Sequence, residues 1–213
     1  MNNGLVTDLG TEAVTAAKPA AAETAGTVLA GGAAAVGLAE FSSIAAGIAG
    51  MDAAVKNNDV NLLIASAVCP GKFLLVVNGK HAAVTACIDT LNARFTEHLI
   101  ASRVIGNLSG GILGEHVPRD HNFRAIGIIE TSDASGAIYA ADEAVKTAGV
   151  TLVRLKLANG IGGKGAAVVA GGISEVAVAV ETAAQGALAG NRLVGKAVIT
   201  NPDTETVKRI WEL

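Results

Sequence analysis

Apolar residues fall into short runs and helical stripes that appear in one order and then appear again in the same order. Residues 1–33 stand outside this pattern. They are Ala, Thr and Gly with scattered acids and no sustained apolar period. Such a stretch buries too little surface to offset its ordering entropy, and it reads as a flexible Ala-rich extension or a nascent helix over Thr11 to Ala22. From Ala35 a run of apolar residues, Val36 to Phe41, predicts a buried strand, and small residues over Ile44 to Lys56 predict a helix ending at Asn57-Asn58-Asp59. Leu62-Leu63-Ile64 and Phe73-Leu74-Leu75-Val76-Val77 predict two strands joined by a tight turn at Cys69-Pro70-Gly71. The Asn78-Gly79 turn leads into a helix over His81 to Phe95, with Val84, Cys87, Ile88 and Leu91 on one face, and a short strand, Leu99 to Ile105, closes the unit.

The second unit is a copy of the first. Ala35-Val36-Gly37-Leu38-Ala39-Glu40 matches Ala125-Ile126-Gly127-Ile128-Ile129-Glu130 at an offset of 90, and Asp52 to Lys56 matches Asp142 to Lys146. After the central turn the offset becomes 92, with Gly71-Lys72 set against Gly163-Lys164 and Val76-Val77 against Val168-Val169. The chain is therefore a tandem duplication whose second copy gained two residues in one loop and lost the cysteine there. Strands at Ile126 to Thr131 and Leu193 to Ile199 and helices at Ala134 to Lys146 and Ser174 to Leu188 follow from the same alignment. Strand-helix-strand-strand-helix-strand is the split βαβ, ferredoxin-like arrangement, an α+β fold. The expected organisation is the extension 1–33, a first domain 34–118 and a second domain 119–213, with a polar linker at Pro118 to His121.

Composition narrows the picture. Apolar residues make up 51% of 213 residues but aromatics only 3%, so the core must be Ala, Val, Ile and Leu in thin, closely spaced layers. The net charge of −3 with mixed signs and no Lys/Arg run speaks against nucleic-acid binding. The longest uncharged run, from Thr24 to Ala39, is too short and too weakly apolar to span a bilayer. Asp8 and Glu12 precede the first basic residue, Lys18, so nothing near the N-terminus reads as secretory. Cys69 and Cys87 are then expected as free thiols in a reducing cytoplasm.

Two loops are candidates for chemistry. Taken alone, Cys69 reads as a small packed hydrophobe, although its turn holds it at a rim. The other loop, Gly160-Ile161-Gly162-Gly163-Lys164-Gly165, satisfies the dinucleotide pattern G-x-G-x-x-G, but Ala166-Ala167-Val168-Val169 after it reads as a strand where a helix N-terminus is required. Gly165 also stands where a phosphate-binding loop needs Ser or Thr for magnesium. His81, His98, His116 and His121 fall at helix starts and linkers without an acid or nucleophile at fixed spacing, so no enzyme is expected. Glu40 and Glu130 recur at strand ends, where a repeated carboxylate is more often a structural hydrogen-bonding partner than a catalyst.

The segments Ala125 to Thr131 and Ala141 to Lys146, with their counterparts from Ala35 to Lys56, resemble the opening strand and first helix of the bacterial microcompartment shell domain. Cys69-Pro70-Gly71-Lys72-Phe73-Leu74-Leu75 and Val150 to Arg154 with Gly160 to Lys164 are similar to the unpermuted tandem, trimeric type of propanediol-utilisation microcompartments, and the resemblance covers about Ala35 to Leu213. It implies a homotrimer that imitates a hexamer, set among neighbouring shell proteins in the shell of a cytoplasmic compartment. It also implies a pore lined alternately by Cys69, Pro70, Gly71 and Lys72 and by Asn159, Gly160, Ile161, Gly162, Gly163 and Lys164. By the same resemblance, Cys69 from three chains would bind a 4Fe-4S cluster for electron transfer or cluster delivery to encapsulated redox enzymes, and Lys56 and Lys146 would line tile edges. A tile with a cluster-free metabolite pore and a cytosolic ferredoxin-like regulatory trimer that binds a small ligand are the alternatives. The family's basic edge segment is replaced here by Thr200-Asn201-Pro202-Asp203 and Gly106-Asn107-Leu108.

Overall fold

A computed structural model describes residues 35–114 and 123–212. The expected extension 1–33 and the linker at Pro118 to His121 lie outside the described residues. The first copy comprises β1 (Ala35–Phe41), α1 (Ile44–Asn57), β2 (Val60–Val68), β3 (Lys72–Gly79), α2 (His81–Phe95) and β4 (Leu99–Ile105). The second repeats it as β5 (Ala125–Thr131), α3 (Ala134–Thr147), β6 (Thr151–Leu157), β7 (Gly165–Gly171), α4 (Ile173–Ala189) and β8 (Leu193–Thr200). Each copy forms a four-stranded antiparallel sheet, in the order β2-β3-β1-β4 and β6-β7-β5-β8. This is the strand order of the split βαβ fold that the sequence predicts.

The helices begin where the sequence supplies caps. The Ser43 side chain accepts from Ala46 N at 3.3 Å and Asp133 accepts from Gly136 N at 2.7 Å, each satisfying an amide that the first turn leaves without a partner. Small residues then bring helix and sheet into close contact. A Cβ at Gly47 would overlap the Phe73 side chain, and one at Gly127 would overlap Val180. The thin layers expected from an aromatic-poor core are therefore present.

β1 is buried along its whole length, so both faces of its sheet are covered. Ala39, Phe41, Phe73, Leu75 and Val77 meet Cys87, Ile88 and Leu91 of α2 on one face. Burying each large side chain stabilises the fold by roughly 1.5–3 kcal/mol. On the opposite face Val36, Leu38, Leu74 and Val76 join Leu108 and Ile112, from the segment after β4, and this cluster continues into the second domain. The second sheet's far face is closed by a C-terminal helix, α5 (Thr204–Trp211), whose Ile210 and Trp211 meet Ile126, Val153, Val168 and Ala170. The sequence reading of Thr200 to Asp203 did not include this helix. Asn201 turns the chain at φ 48° and Asp203 caps α5 by accepting from Glu205 N at 2.8 Å.

Candidate functional site

The β2–β3 turn is the short one. Gly71 N donates to Val68 O at 3.0 Å, and Gly71 adopts φ +91°, a conformation that side chains disfavour. Cys69 and Pro70 are exposed on it, joined by a cis peptide bond. Cys87, the other free thiol, is buried in α2, and burial pushes its pKa up, so it has the character of a core residue.

The longer β6–β7 loop coils around Ala158. Gly163 N donates to Ala158 O at 3.0 Å and Ala158 N to Lys164 O at 2.8 Å, with Ala158, Gly160, Gly162 and Gly163 all at positive φ. β7 starts at Gly165, so the glycines lead into a strand and the dinucleotide pattern lacks its helix.

The two loops lie against each other. Asn159 Oδ1 accepts from Cys69 N at 3.0 Å, and Lys72 Nζ donates to Gly163 O at 3.2 Å. A Cβ on Gly163 would stand 2.7 Å from both Cys69 O and Pro70 Cδ, so glycine permits this approach. Asn159 thus orients the backbone of the exposed cysteine, while Ile161 is half-buried and Gly160 and Gly162 form the exposed rim.

Lys72 is held by an ion pair within the chain. Its ammonium pairs with Glu40 Oε1 at 3.0 Å, and its side chain is only 17% exposed. The other Glu40 oxygen accepts from Ala134 N at 2.9 Å and Ser135 N at 3.3 Å, the first amides of α3 in the second domain. A carboxylate at a helix N-terminus is favoured by the helix dipole. Burial pushes the Glu40 pKa above its ordinary 4.5, against the lowering effect of the Lys72 hydrogen bond and charge. The expectation of a structural carboxylate holds for Glu40, which clamps one domain to the other. Its counterpart Glu130 pairs with Lys164 at 2.8 Å at a more exposed place.

Further contacts along this boundary were not read from the sequence. Arg192 donates to Asp133 Oδ2 at 2.7 Å and to Ile100 O of β4 at 3.0 Å. Burial pushes Asp133 up, but hydrogen bonds from Ser135, Arg192 and Gly136 N outweigh it and hold the carboxyl below its ordinary 3.8. The Arg103 guanidinium lies 3.9 Å from the centroid of the Tyr139 ring, a cation–π contact. Lys146, expected at a tile edge, pairs with buried Asp142 at 2.6 Å and reaches Gly106 O at 3.3 Å, while Asp142 also accepts from Ser109 N. Lys56 instead makes an exposed pair with Asp52 at 2.8 Å. Only the repeated Glu-x₂-[Ser/Asp] before each first helix could have signalled the clamp.

The geometry agrees with comparison to known proteins. The BMC domain model matches twice, at residues 35–108 and 125–202. The chain is 41% identical over 180 residues to the bacterial microcompartment shell protein PduT of Citrobacter freundii, covering 84% of this chain and 98% of that protein. A crystal structure of a microcompartment protein from Desulfitobacterium hafniense superimposes with a TM-score of 0.71 at 32% identity, covering 84% of this chain and 99% of the other. A fused permuted hexameric shell protein of the RMM microcompartment shares the fold, with a TM-score of 0.55 at 19% identity over 81% of this chain and 92% of its own. Duplicated four-stranded sheets, clamped side by side with their β-turn loops in contact, and both domain matches lead to one conclusion: this chain belongs to the bacterial microcompartment shell protein family, as a member with two BMC domains in tandem.

Proposed function

We propose that this shell protein forms a tile of three chains, six domains around a central pore, with the Cys69–Lys72 and Asn159–Lys164 loops alternating about the axis. The carrying observation is the contact between these loops inside one chain, where Asn159 Oδ1 holds Cys69 N at 3.0 Å. Repeating that side-by-side placement around a threefold axis brings three exposed Cys69 thiols to one centre. On this reading, Cys69 of each chain holds a 4Fe-4S cluster.

The donor set fits such a group in kind. Thiolates are the usual ligands of these clusters, and the Cys69 thiol is free and exposed. A single cysteine cannot hold a cluster, whereas a threefold axis supplies one Cys69 from each of three copies. Pro70 and Gly71 shape the turn that presents the sulfur, Asn159 orients it, and Lys72 braces the loop through Glu40 without reaching the axis itself. When bound, the group supplies one-electron chemistry, which suits electron transfer across the shell or cluster delivery to enzymes within it. Lys56 and Lys146 would contribute to contacts between neighbouring tiles, Lys56 through its exposed ammonium.

The test is anaerobic purification of wild type and Cys69→Ser, with iron content, electron paramagnetic resonance after reduction, and native mass. The expected result is about four irons per trimer in wild type, lost in the variant while the trimer persists. An iron-free trimer that still assembles into sheets would leave a tile with a plain metabolite pore.

A further inference from the structure

Where α2 ends against β4, the first domain leaves a groove of about 500 Å³ that Arg192 of the second domain completes. Asn92 and Thr96 stand along one side of it, at the end of α2 and just past that end, and Leu99 to Ser102 of β4 line the rest. The duplication does not repeat these groups among the described residues. The matching positions of the second copy hold Ala184, Leu188 and Lys196, and Lys196 is drawn into an ion pair with Glu181. His98 stands in the first copy where Arg192 stands in the second, since Ser42 N donates to His98 O as Ser132 N donates to Arg192 O. The polar lining therefore belongs to one groove of the chain and not to the fold as such.

Arg192 is held in place and left partly open. Its guanidinium gives one N–H to Asp133 Oδ2 at 2.7 Å and one to Ile100 O at 3.0 Å, while the side chain stays 23% exposed. A guanidinium carries five N–H groups, so three remain. Asn92 is oriented by Ser102, whose hydroxyl donates to Asn92 Oδ1 at 2.7 Å, and this leaves the Asn92 NH₂ group as a donor. Thr96 turns its own hydroxyl back to Asn92 O. The groove thus offers donors to a ligand rich in acceptors, with half-buried Leu99 and Ile100 as its apolar surface. Charge narrows the choice. Asp133 is fully buried and its carboxyl is held below the ordinary range, so it stays ionised and offsets part of the Arg192 charge. A monoanion suits the remainder better than a phosphate dianion, and the forked N–H groups of arginine match the two oxygens of a carboxylate.

We propose that this groove is a binding site for a small aliphatic carboxylate. The two carboxylate oxygens take the open N–H groups of Arg192 and the Asn92 amide, and the aliphatic chain lies along Leu99 and Ile100. Arg192 also joins Asp133, the cap of α3, to the backbone of β4. The occupied groove therefore spans the boundary between the domains, and a bound carboxylate stabilises the folded chain by mass action. The site uses neither Cys69 nor a second copy, so it stands apart from the three-chain tile and from the cluster.

The experiment is calorimetric titration of the full-length chain with butyrate, joined to saturation-transfer NMR of the butyrate protons, with 1-butanol and inorganic phosphate as comparison probes. Butyrate should bind once per chain with a Kd on the order of 1 mM, the range open to a ligand of this size. 1-Butanol should not displace it, and phosphate should bind more weakly. Asn92→Leu changes an exposed side chain and leaves the Arg192 contacts in place, and it should weaken butyrate by about tenfold. Arg192→Lys keeps the charge but loses the fork, and it should weaken butyrate further. An Asn92→Leu protein that unfolds at the wild-type temperature and binds butyrate as tightly as wild type would overturn the site. No saturable binding up to about 20 mM would overturn it as well. Phosphate bound more tightly than butyrate, or butyrate displaced by 1-butanol, would overturn the carboxylate as the recognised group.

Discussion

α1 and α3 occupy the same position in two copies of one fold, yet among the described residues only α3 is covered on its outer side. Both pack an inner face on their own sheet, and both end in the same Asp-x-x-x-Lys pair. In α1 this pair is Asp52 with Lys56, with side chains 55% and 68% exposed, whereas in α3 Asp142 is fully buried and accepts from Ser109 N as well. One local motif is a solvated helix pair in one domain and an interdomain brace in the other. The difference comes from the neighbour: the segment after β4 lies over α3, and no described part of the chain lies over α1. Identical spacing therefore has a different energetic value according to what covers it, since exposed pairs contribute little and buried ones are costly to break.

The largest test of this contrast is at the clamp. Glu40→Ala should lower unfolding stability by about 3–5 kcal/mol, because it leaves Lys72 and two α3 amides without their partner. Glu130→Ala, studied at dilutions where chains are separate, should cost under about 1 kcal/mol. Urea midpoints that moved equally for both would erase the distinction between the two ion pairs.

The helix faces should differ next most. Ile138→Ala opens a cavity in a fully buried site and should cost about 2–5 kcal/mol. Ile48→Ala is half-exposed and should change the stability of the separate chain by only about 0.5 kcal/mol. Equal costs at the two positions would mean that α1 is already covered.

pH gives the smallest and most specific effect. Glu40 is raised above 4.5 by burial, so folding disfavours its charged form and stability should fall slightly as pH rises from 4.5 through the raised value. Asp133 is held below 3.8, so its contribution is present above that value and should be lost as pH falls through the lowered one. Denaturant titrations from pH 3 to 7 should therefore show a flatter upper limb in Glu40→Gln and a weaker acid decline in Asp133→Asn. An acid limb unchanged in Asp133→Asn would remove that carboxyl from the boundary.

Much of the fold was legible because the chain states it twice. The apolar runs at Val36–Phe41 and Ile126–Thr131, and the helices starting after Ser43 and Asp133, required only local pattern and a 90-residue offset. α5 was equally local: Asp203 as cap and Val207, Ile210 and Trp211 on one face mark it, but a comparison with the first copy could not supply it because the described residues of that copy include no such helix. The loops that carry Cys69 and Asn159 were legible as turns. Their contact was not, because 90 residues separate the two groups and neither glycine pattern nor hydropathy records a hydrogen bond across that distance.

The sequence by itself determined the strands, the helices, the duplication and the turn that exposes Cys69, because each depends on spacing within a few residues. Only the tertiary structure decided that Glu40 is buried and Glu130 is not, that Lys146 braces a boundary while Lys56 faces outward, and that Lys72 is held away from the loop tip. Those outcomes depend on which surface meets which. Burial and pairing are properties of the assembled neighbours, and the same residues in the same local order take either value.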